Sequence, residues 1–282
     1  MGRIGRGWQL AKMSLRVIRK DKELLLFPLL SGLLTIVILA SFFIGAVFTV
    51  GLDGIFGGSS QWAFWVFMVI FYFITFFLAT FFNVAIIGCA TIRLNGGNPT
   101  LRDGFRIAGE NLKQIILWAI FAATVALVIR AIQERVGILG KILLGGLGVA
   151  FTVATYFVVP VFIYEKLGPW KALKRSVAIL KGTWGEALIG NLGLGLIFFL
   201  FGLIGILPII LGAVLGGVWG LVAGVVIAIV YWLILGLIAS AAQSVLVAAL
   251  YRYATTGKTS EDFADLSFQN PWEAPRTVPK RI

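Results

Sequence analysis

Residues Ala187–Tyr251 are 65 consecutive positions without a charged side chain. That run restricts the fold more than any other feature of the chain. An apolar helix of ~20 residues crosses the ~30 Å hydrocarbon layer of a bilayer, so 65 residues are too many for one crossing and suit two. Gly212, Gly216, Gly217 and Gly220 mark the turn, placing one span at 187–211 and the next at 218–251. Cutting the rest at its charges gives spans at about 24–50, within 61–92, at about 115–136 and at about 142–164. The run from Gln61 to Ile92 holds 32 uncharged residues, so its helix must tilt, bend or extend past the bilayer. The expected fold is all-α, a polytopic helical membrane bundle with six transmembrane helices.

The connections alternate in charge. The N-terminal segment, 93–114, 165–186 and the C-terminal tail together carry 21 Lys and Arg, whereas the opposite loops carry only Arg130, Arg135 and Lys141. Basic loops stay on the cytoplasmic side, which predicts a multi-pass protein of the cytoplasmic membrane with both termini cytoplasmic. The basic start is followed by an uncharged stretch longer than the core of a secretory leader, and it is read as a permanent first span. The net charge of +12 lies between apolar spans, so the partner it implies is the anionic inner leaflet and not nucleic acid.

The basic segments resemble one another. They read LAKMSLRVIRKDKELLLF, LRDGFRIAGENLKQIILW and ALKRSVAILKGTWGEALI. Aligning Ser14, Gly104 and Ser176 brings together Leu15, Phe105 and Val177, then Val17, Ile107 and Ile179, then Ile18, Ala108 and Leu180. Three residues further stand Asp21, Asn111 and Thr183, all types that stop or cap helices. Each copy has apolar residues at helical spacing with cations opposite, the pattern of an amphipathic helix at the membrane interface. Lys12, Arg16, Arg102, Arg106, Lys171, Lys174 and Arg175 are the expected headgroup contacts. Pro99 and Pro169 precede or open two of these helices. The expectation is a threefold repeat of interfacial helix plus two-span hairpin, with units at about 8–92, 99–164 and 169–254. A single membrane domain would cover 1–254, followed by a flexible cytoplasmic tail at 255–282.

The stretch FVVPVFIYEKLGPWKALKRSVAILKGTWGEA, residues 157–187, resembles a pattern of several prokaryotic six-span families. These include the membrane domain found beside glycerophosphodiester phosphodiesterases. Pro160, Glu165, Gly168, Ala172, Arg175, Ser176, Lys181 and Gly182 carry the likeness. The N-terminal GWQLAKMSLRVIRKDKELLLFPLLS resembles an uncharacterised family of archaeal and bacterial membrane proteins, and that likeness extends to about residue 258. What the resemblance implies is the six-span layout. The phosphodiesterase activity does not carry over, because it belongs to a separate barrel domain that uses His and acidic residues around a metal.

Little in the sequence points to chemistry. There is no His and one Cys, Cys89, inside an apolar run. That composition provides no histidine base and no internal disulfide. All twelve Asp and Glu lie at or beyond span ends, whereas ion-coupled transport usually places an acid inside the membrane. No catalytic group, metal or cofactor is therefore expected. Arg130 and Glu134, four apart and ~22 Å along a helix from Ile115, form the best polar pair near a span end. With Asn83 and Gln243 they are the candidates for lining a polar cavity. Asn191, also inside a span, is read as an interhelical hydrogen-bonding residue. Gly216, Gly220 and Gly224, followed by Gly236, Ser240 and Ser244, form a small-residue stripe expected to let helices approach closely. Pro160 and Pro208 are expected bends. The functional expectation is a non-enzymatic, lipid-interacting scaffold or accessory subunit, with membrane lipids and a membrane-protein partner or second copy as companions. The alternative is a channel or transporter for a neutral or lipid-like solute.

Overall fold

A chain this apolar must satisfy its backbone polar groups within itself, and the described residues do so with helices alone. The computed structural model describes residues 3–56, 61–136, 138–182 and 184–257. In chain order the helices are α1 (Arg3–Lys20), α2 (Leu26–Phe56), α3 (Gln61–Leu94), α4 (Leu101–Glu110), α5 (Leu112–Gln133), α6 (Ile138–Ala154), α7 (Val158–Glu165), α8 (Pro169–Gly182), α9 (Trp184–Ile204), α10 (Leu207–Leu215) and α11 (Gly217–Thr256). A short 3-10 turn at Lys22–Leu25 joins α1 to α2. Six stretches are long and apolar enough to cross a membrane: Lys22–Gly45, Trp65–Leu94, Leu112–Gln133, Leu144–Glu165, Gly193–Leu215 and Gly217–Thr256. The six-span, all-helical expectation holds, and the turn expected between Gly212 and Gly220 falls at Gly216.

Both expected prolines stand in the first turn of a new helix. The fourth span breaks at Thr155–Phe157, and Pro160 follows in α7. The fifth breaks after Ile204, and Pro208 opens α10. A missing N–H costs nothing there, since the first-turn amides have no partner within the helix. A third irregularity has no proline: Gly51 takes φ +73° inside α2, a left-handed conformation that glycine adopts without penalty.

The residues form two compact units, one from Met1–Pro28, Cys89–Thr100 and Ile179–Ile282, the other from Leu29–Gly88 and Leu101–Ala178. In the first, α1 packs on α9 and α11, and α10 runs along α11. Met13, Val17 and Ile18 of α1 are buried, as are Leu24 and Phe27 just beyond it. Burial within α11 is strongly one-ended. Among its first 24 residues only Gly224 and Ala228 are buried, whereas almost every residue from Ala241 to Ala254 is. At 1.5 Å per residue this 40-residue helix is ~60 Å long, twice the hydrocarbon thickness. Its first half has the length and exposure of a lipid-facing span, and its second half is clothed in protein.

The second unit repeats that division. Positions such as Val66, Val69 and Ile70 in the earlier part of α3 are exposed, whereas Val84–Gly88 are buried. Helix α4 covers this end. Phe105 packs at a tilt on Phe81 and edge-on to Phe82, with ring centroids 6.1 and 6.2 Å away. Ile107 lies so close to Gly88 that a Cβ there would come within 2.8 Å of its Cδ1. An aromatic series then links α5, α6 and α7 through Trp118, which lies 5.7 Å from Phe162, 6.1 Å from Phe151 and 5.5 Å from Phe121.

Candidate lipid-interface site

Helices α1, α4 and α8 each pair a buried apolar face with exposed cations. The aligned positions Ser14, Gly104 and Ser176 are all buried, and so are Ile18, Ala108 and Leu180. Lys12, Arg16, Arg102, Arg106, Lys171 and Lys174 are exposed. Burying one stripe of a short helix leaves the rest to water or headgroups, and long basic side chains reach outward from such a surface.

Arg175 departs from this pattern. Its Nε donates to both carboxylate oxygens of Glu165 at 2.9 Å, and the two side chains are only 13% and 23% exposed. It is an internal tie between the end of α7 and α8. Arg106 is exposed but donates to Asp103 at 2.9 Å, so α4 presents a partly neutralised face.

Polar ties also hold the helix junctions. Lys166, which ends α7 with φ 52°, donates to the side-chain oxygen of Asn111 at 2.6 Å. Asn111 itself donates to the Ile107 carbonyl at 2.7 Å. Ser176 accepts the Phe157 N–H at 2.9 Å, which satisfies an amide released by the helix break. In the other unit Arg93 Nε stands 3.2 Å from Asp21 Oδ2, and Arg252 donates to the Leu94 carbonyl.

Asp21 is buried, and Oδ2 accepts no hydrogen bond. Burial therefore raises its carboxyl pKa above the usual value, Arg93 opposes the rise, and neighbouring Glu23 adds to it. With the folded value raised, the folded protein holds a proton that the unfolded chain releases. Stability from this group thus falls as pH climbs from the ordinary carboxylate range through the raised one. Asp21→Asn is expected to leave neutral-pH stability unchanged or slightly higher and to flatten the acid limb. Thermal unfolding in detergent between pH 4 and pH 7 checks this. A variant clearly less stable than wild type at pH 7 would show that attraction to Arg93 outweighs burial.

Within the second unit, Arg130 and Glu134 form a pair from which Asn83 stands apart. Arg130 Nε donates to Glu134 Oε1 at 3.3 Å, the i,i+4 contact that the spacing predicts, while Nη1 approaches Met68 Sδ at 3.3 Å and Tyr72 supplies another hydrogen bond. This clasp joins α3 to α5 and is half-exposed. Asn83 is exposed eleven residues beyond Tyr72 on α3, ~16 Å along the axis. Gln243 is half-buried in α11, in the other unit. The small-residue stripe also divides. A Cβ on Gly220 would strike the Gly212 carbonyl oxygen, and one on Gly224 that of Pro208, so this half is the α10–α11 seam. Gly236 has open space around it, Ser240 is exposed and Ser244 is buried. Thr183, the tail from 258 and the side chains of Lys141 and Asn191 lie outside the described residues.

Among the described residues, no three His, Cys, Asp or Glu side chains converge as metal ligands would. The lone Cys89 is buried, with Sγ 3.6 Å from the Thr100 carbonyl oxygen. The model of a family of unknown function, DUF6159, matches residues 62–261, from the start of α3 past the end of α11. No curated protein matches the chain. The comparisons thus support an uncharacterised family and lend no support to the likeness with the phosphodiesterase-associated membrane domain.

Proposed function

Since the chain belongs to DUF6159, a family of unknown function, its role must be read from its own residues, and we propose a non-enzymatic, lipid-interacting membrane scaffold or accessory subunit. It would lie in the cytoplasmic membrane with its basic side inward. The observation that carries this reading is the shared build of α1, α4 and α8, in which apolar residues are buried on the spans and cations are exposed on the other face. Such helices hold an anionic leaflet by charge while the spans anchor them.

A threefold repeat underlies this build in our reading. Each basic helix leans on a span of the preceding unit: α4 on α3 through Phe105 and Ile107, and α8 on the fourth span through Ser176 and Phe157. Helix α1 leans on α9 and α11, from the last unit. In the first two units the polar residue closing the helix reaches a cation at the end of its own hairpin, Asp21 to Arg93 and Asn111 to Lys166. All three hairpins end near a left-handed residue: Gly96, Lys166 and Gly257.

The channel or transporter alternative has weaker support, since Asn83 stands apart from Arg130 and Glu134 along α3. Orientation is testable with engineered cysteines, because Cys89 is the only native one and is buried. In a Cys89→Ser background, Arg135→Cys should react with an impermeant maleimide in intact cells. Lys12→Cys and Arg102→Cys should react only after permeabilisation. The reverse labelling would overturn the orientation. The scaffold reading is tested by native mass spectrometry with lipids retained and by solute flux in proteoliposomes. A bound lipid or partner protein without flux is expected, and specific flux would favour the transporter.

A further inference from the structure

The first turns of α8 combine exposed cations with an exposed indole ring seated against α5, whereas in α4 the exposed ring is Phe105 and Arg106 is paired to Asp103. Trp170 is 58% exposed. Its ring meets Phe121 edge-on at 6.4 Å and so terminates the Phe162–Trp118–Phe121 series, in which Phe162 and Trp118 are buried and Phe121 is half-buried. Lys174 Nζ lies 5.4 Å from the centre of the Trp170 ring, and Lys171 is exposed one turn before it. No acidic residue occurs in α8, and Arg175 and Lys166 are already engaged by Glu165 and Asn111. Beside Phe121, α5 exposes Leu117 and, about three turns further, Val128.

We propose that Trp170, Lys171 and Lys174 form a binding site for one anionic phospholipid. The phosphodiester and headgroup charge sit on the two ammonium groups. The Trp170 ring occupies the boundary between headgroup and hydrocarbon, where indole is favoured. One acyl chain follows Leu117 toward Val128. Charge complementarity selects the occupant, because two cations without a local acid suit an anionic headgroup better than a zwitterionic one. The aromatic series fixes the ring before any lipid arrives, and that preorganisation lowers the ordering penalty of binding. This site rests on the lipid-interacting reading and sharpens it from a diffuse basic surface to one position.

The test uses the full-length protein in phosphatidylcholine nanodiscs doped with brominated phosphatidylglycerol or brominated phosphatidylcholine. The signal of Trp170 is the fluorescence difference between wild type and Trp170→Phe. Brominated phosphatidylglycerol should quench it at a mole fraction roughly thirtyfold lower than brominated phosphatidylcholine, about the preference that two lysines supply at an anionic site. Lys171→Gln with Lys174→Gln should abolish the preference, and Lys12→Gln with Arg16→Gln should leave it. Equal quenching by both lipids overturns the site. So does loss of preference in the α1 pair as large as in the α8 pair, although that outcome leaves general lipid attraction standing. Native mass spectrometry of unmodified wild type provides a check free of folding artefacts. One anionic phospholipid should persist at activation energies that strip phosphatidylcholine, and equal stripping overturns the site.

Discussion

Gly220→Leu is expected to separate α10 from α11 and to destabilise the protein by about 3 kcal/mol, at the upper end of what overpacking does. The cause lies in the backbone. Gly212, Gly220 and Gly224 let two helices touch main chain to main chain, and any Cβ at Gly220 would meet the Gly212 carbonyl oxygen. A flexible side chain can swing away from an added methyl group, but a helix backbone can yield only by moving the whole helix. The ties between Tyr231 and the Phe201 carbonyl at 2.7 Å, and between the Trp232 indole and the Gly202 carbonyl at 2.9 Å, would be strained with it. Unfolding by SDS titration checks this, with Gly236→Leu as the control. Gly236 has open space, so its variant should keep wild-type stability. Equal loss at both positions would mean that the seam is not the contact that matters.

Removing Arg175 should have the second-largest effect. Arg175→Gln leaves the Glu165 carboxylate, only 23% exposed, without its guanidinium partner, at a loss of about 2 kcal/mol. Lysine should rescue only part of this, because a single ammonium does not reproduce the planar, multiply donating guanidinium. The informative comparison is with Lys171→Gln. Arg175→Gln should lower stability and leave phospholipid preference alone, whereas Lys171→Gln should do the opposite. If Arg175→Gln altered lipid selectivity at unchanged stability, the internal tie would be of little consequence and Arg175 would rejoin the headgroup contacts.

Sequence reasoning reached the spans because charge exclusion is a strong physical signal, and it placed the turn of the 65-residue run correctly. It also anticipated the Arg130–Glu134 contact, which depends only on helical spacing. It could not tell which apolar residues face lipid and which face protein. Leu233, exposed on α11, and Leu246, fully buried on the same helix, are chemically identical, and a bilayer accepts either. The C-terminal ends of α3 and α11 therefore looked like excess span length when they are cores covered by short helices. The fate of Arg175 was illegible for a related reason. Its partner lies ten residues earlier, across the loop between α7 and α8, and no helical spacing links them. Trp170 was passed over because one aromatic residue in a basic segment is unremarkable until its neighbours are known to be Phe121 and Lys174.

The contacts of α1 impose an order on biosynthesis. This helix leaves the ribosome before every other helix described, yet two helices that pack on it, α9 and α11, come near the end of that order. About 160 residues separate the end of α1 from the start of α9, which at typical translation speeds is a delay of roughly ten to thirty seconds. Throughout that interval α1, with Met13, Val17 and Ile18 on its buried face, lacks α9 and α11. On the lipid-interacting reading proposed above, α1 has a refuge in the membrane surface itself, so the leaflet would act as a temporary chaperone before serving as a ligand. Chains arrested before α9 should then remain degradable through α1, and release of the final hairpin should be the event that makes the N-terminus resistant to protease.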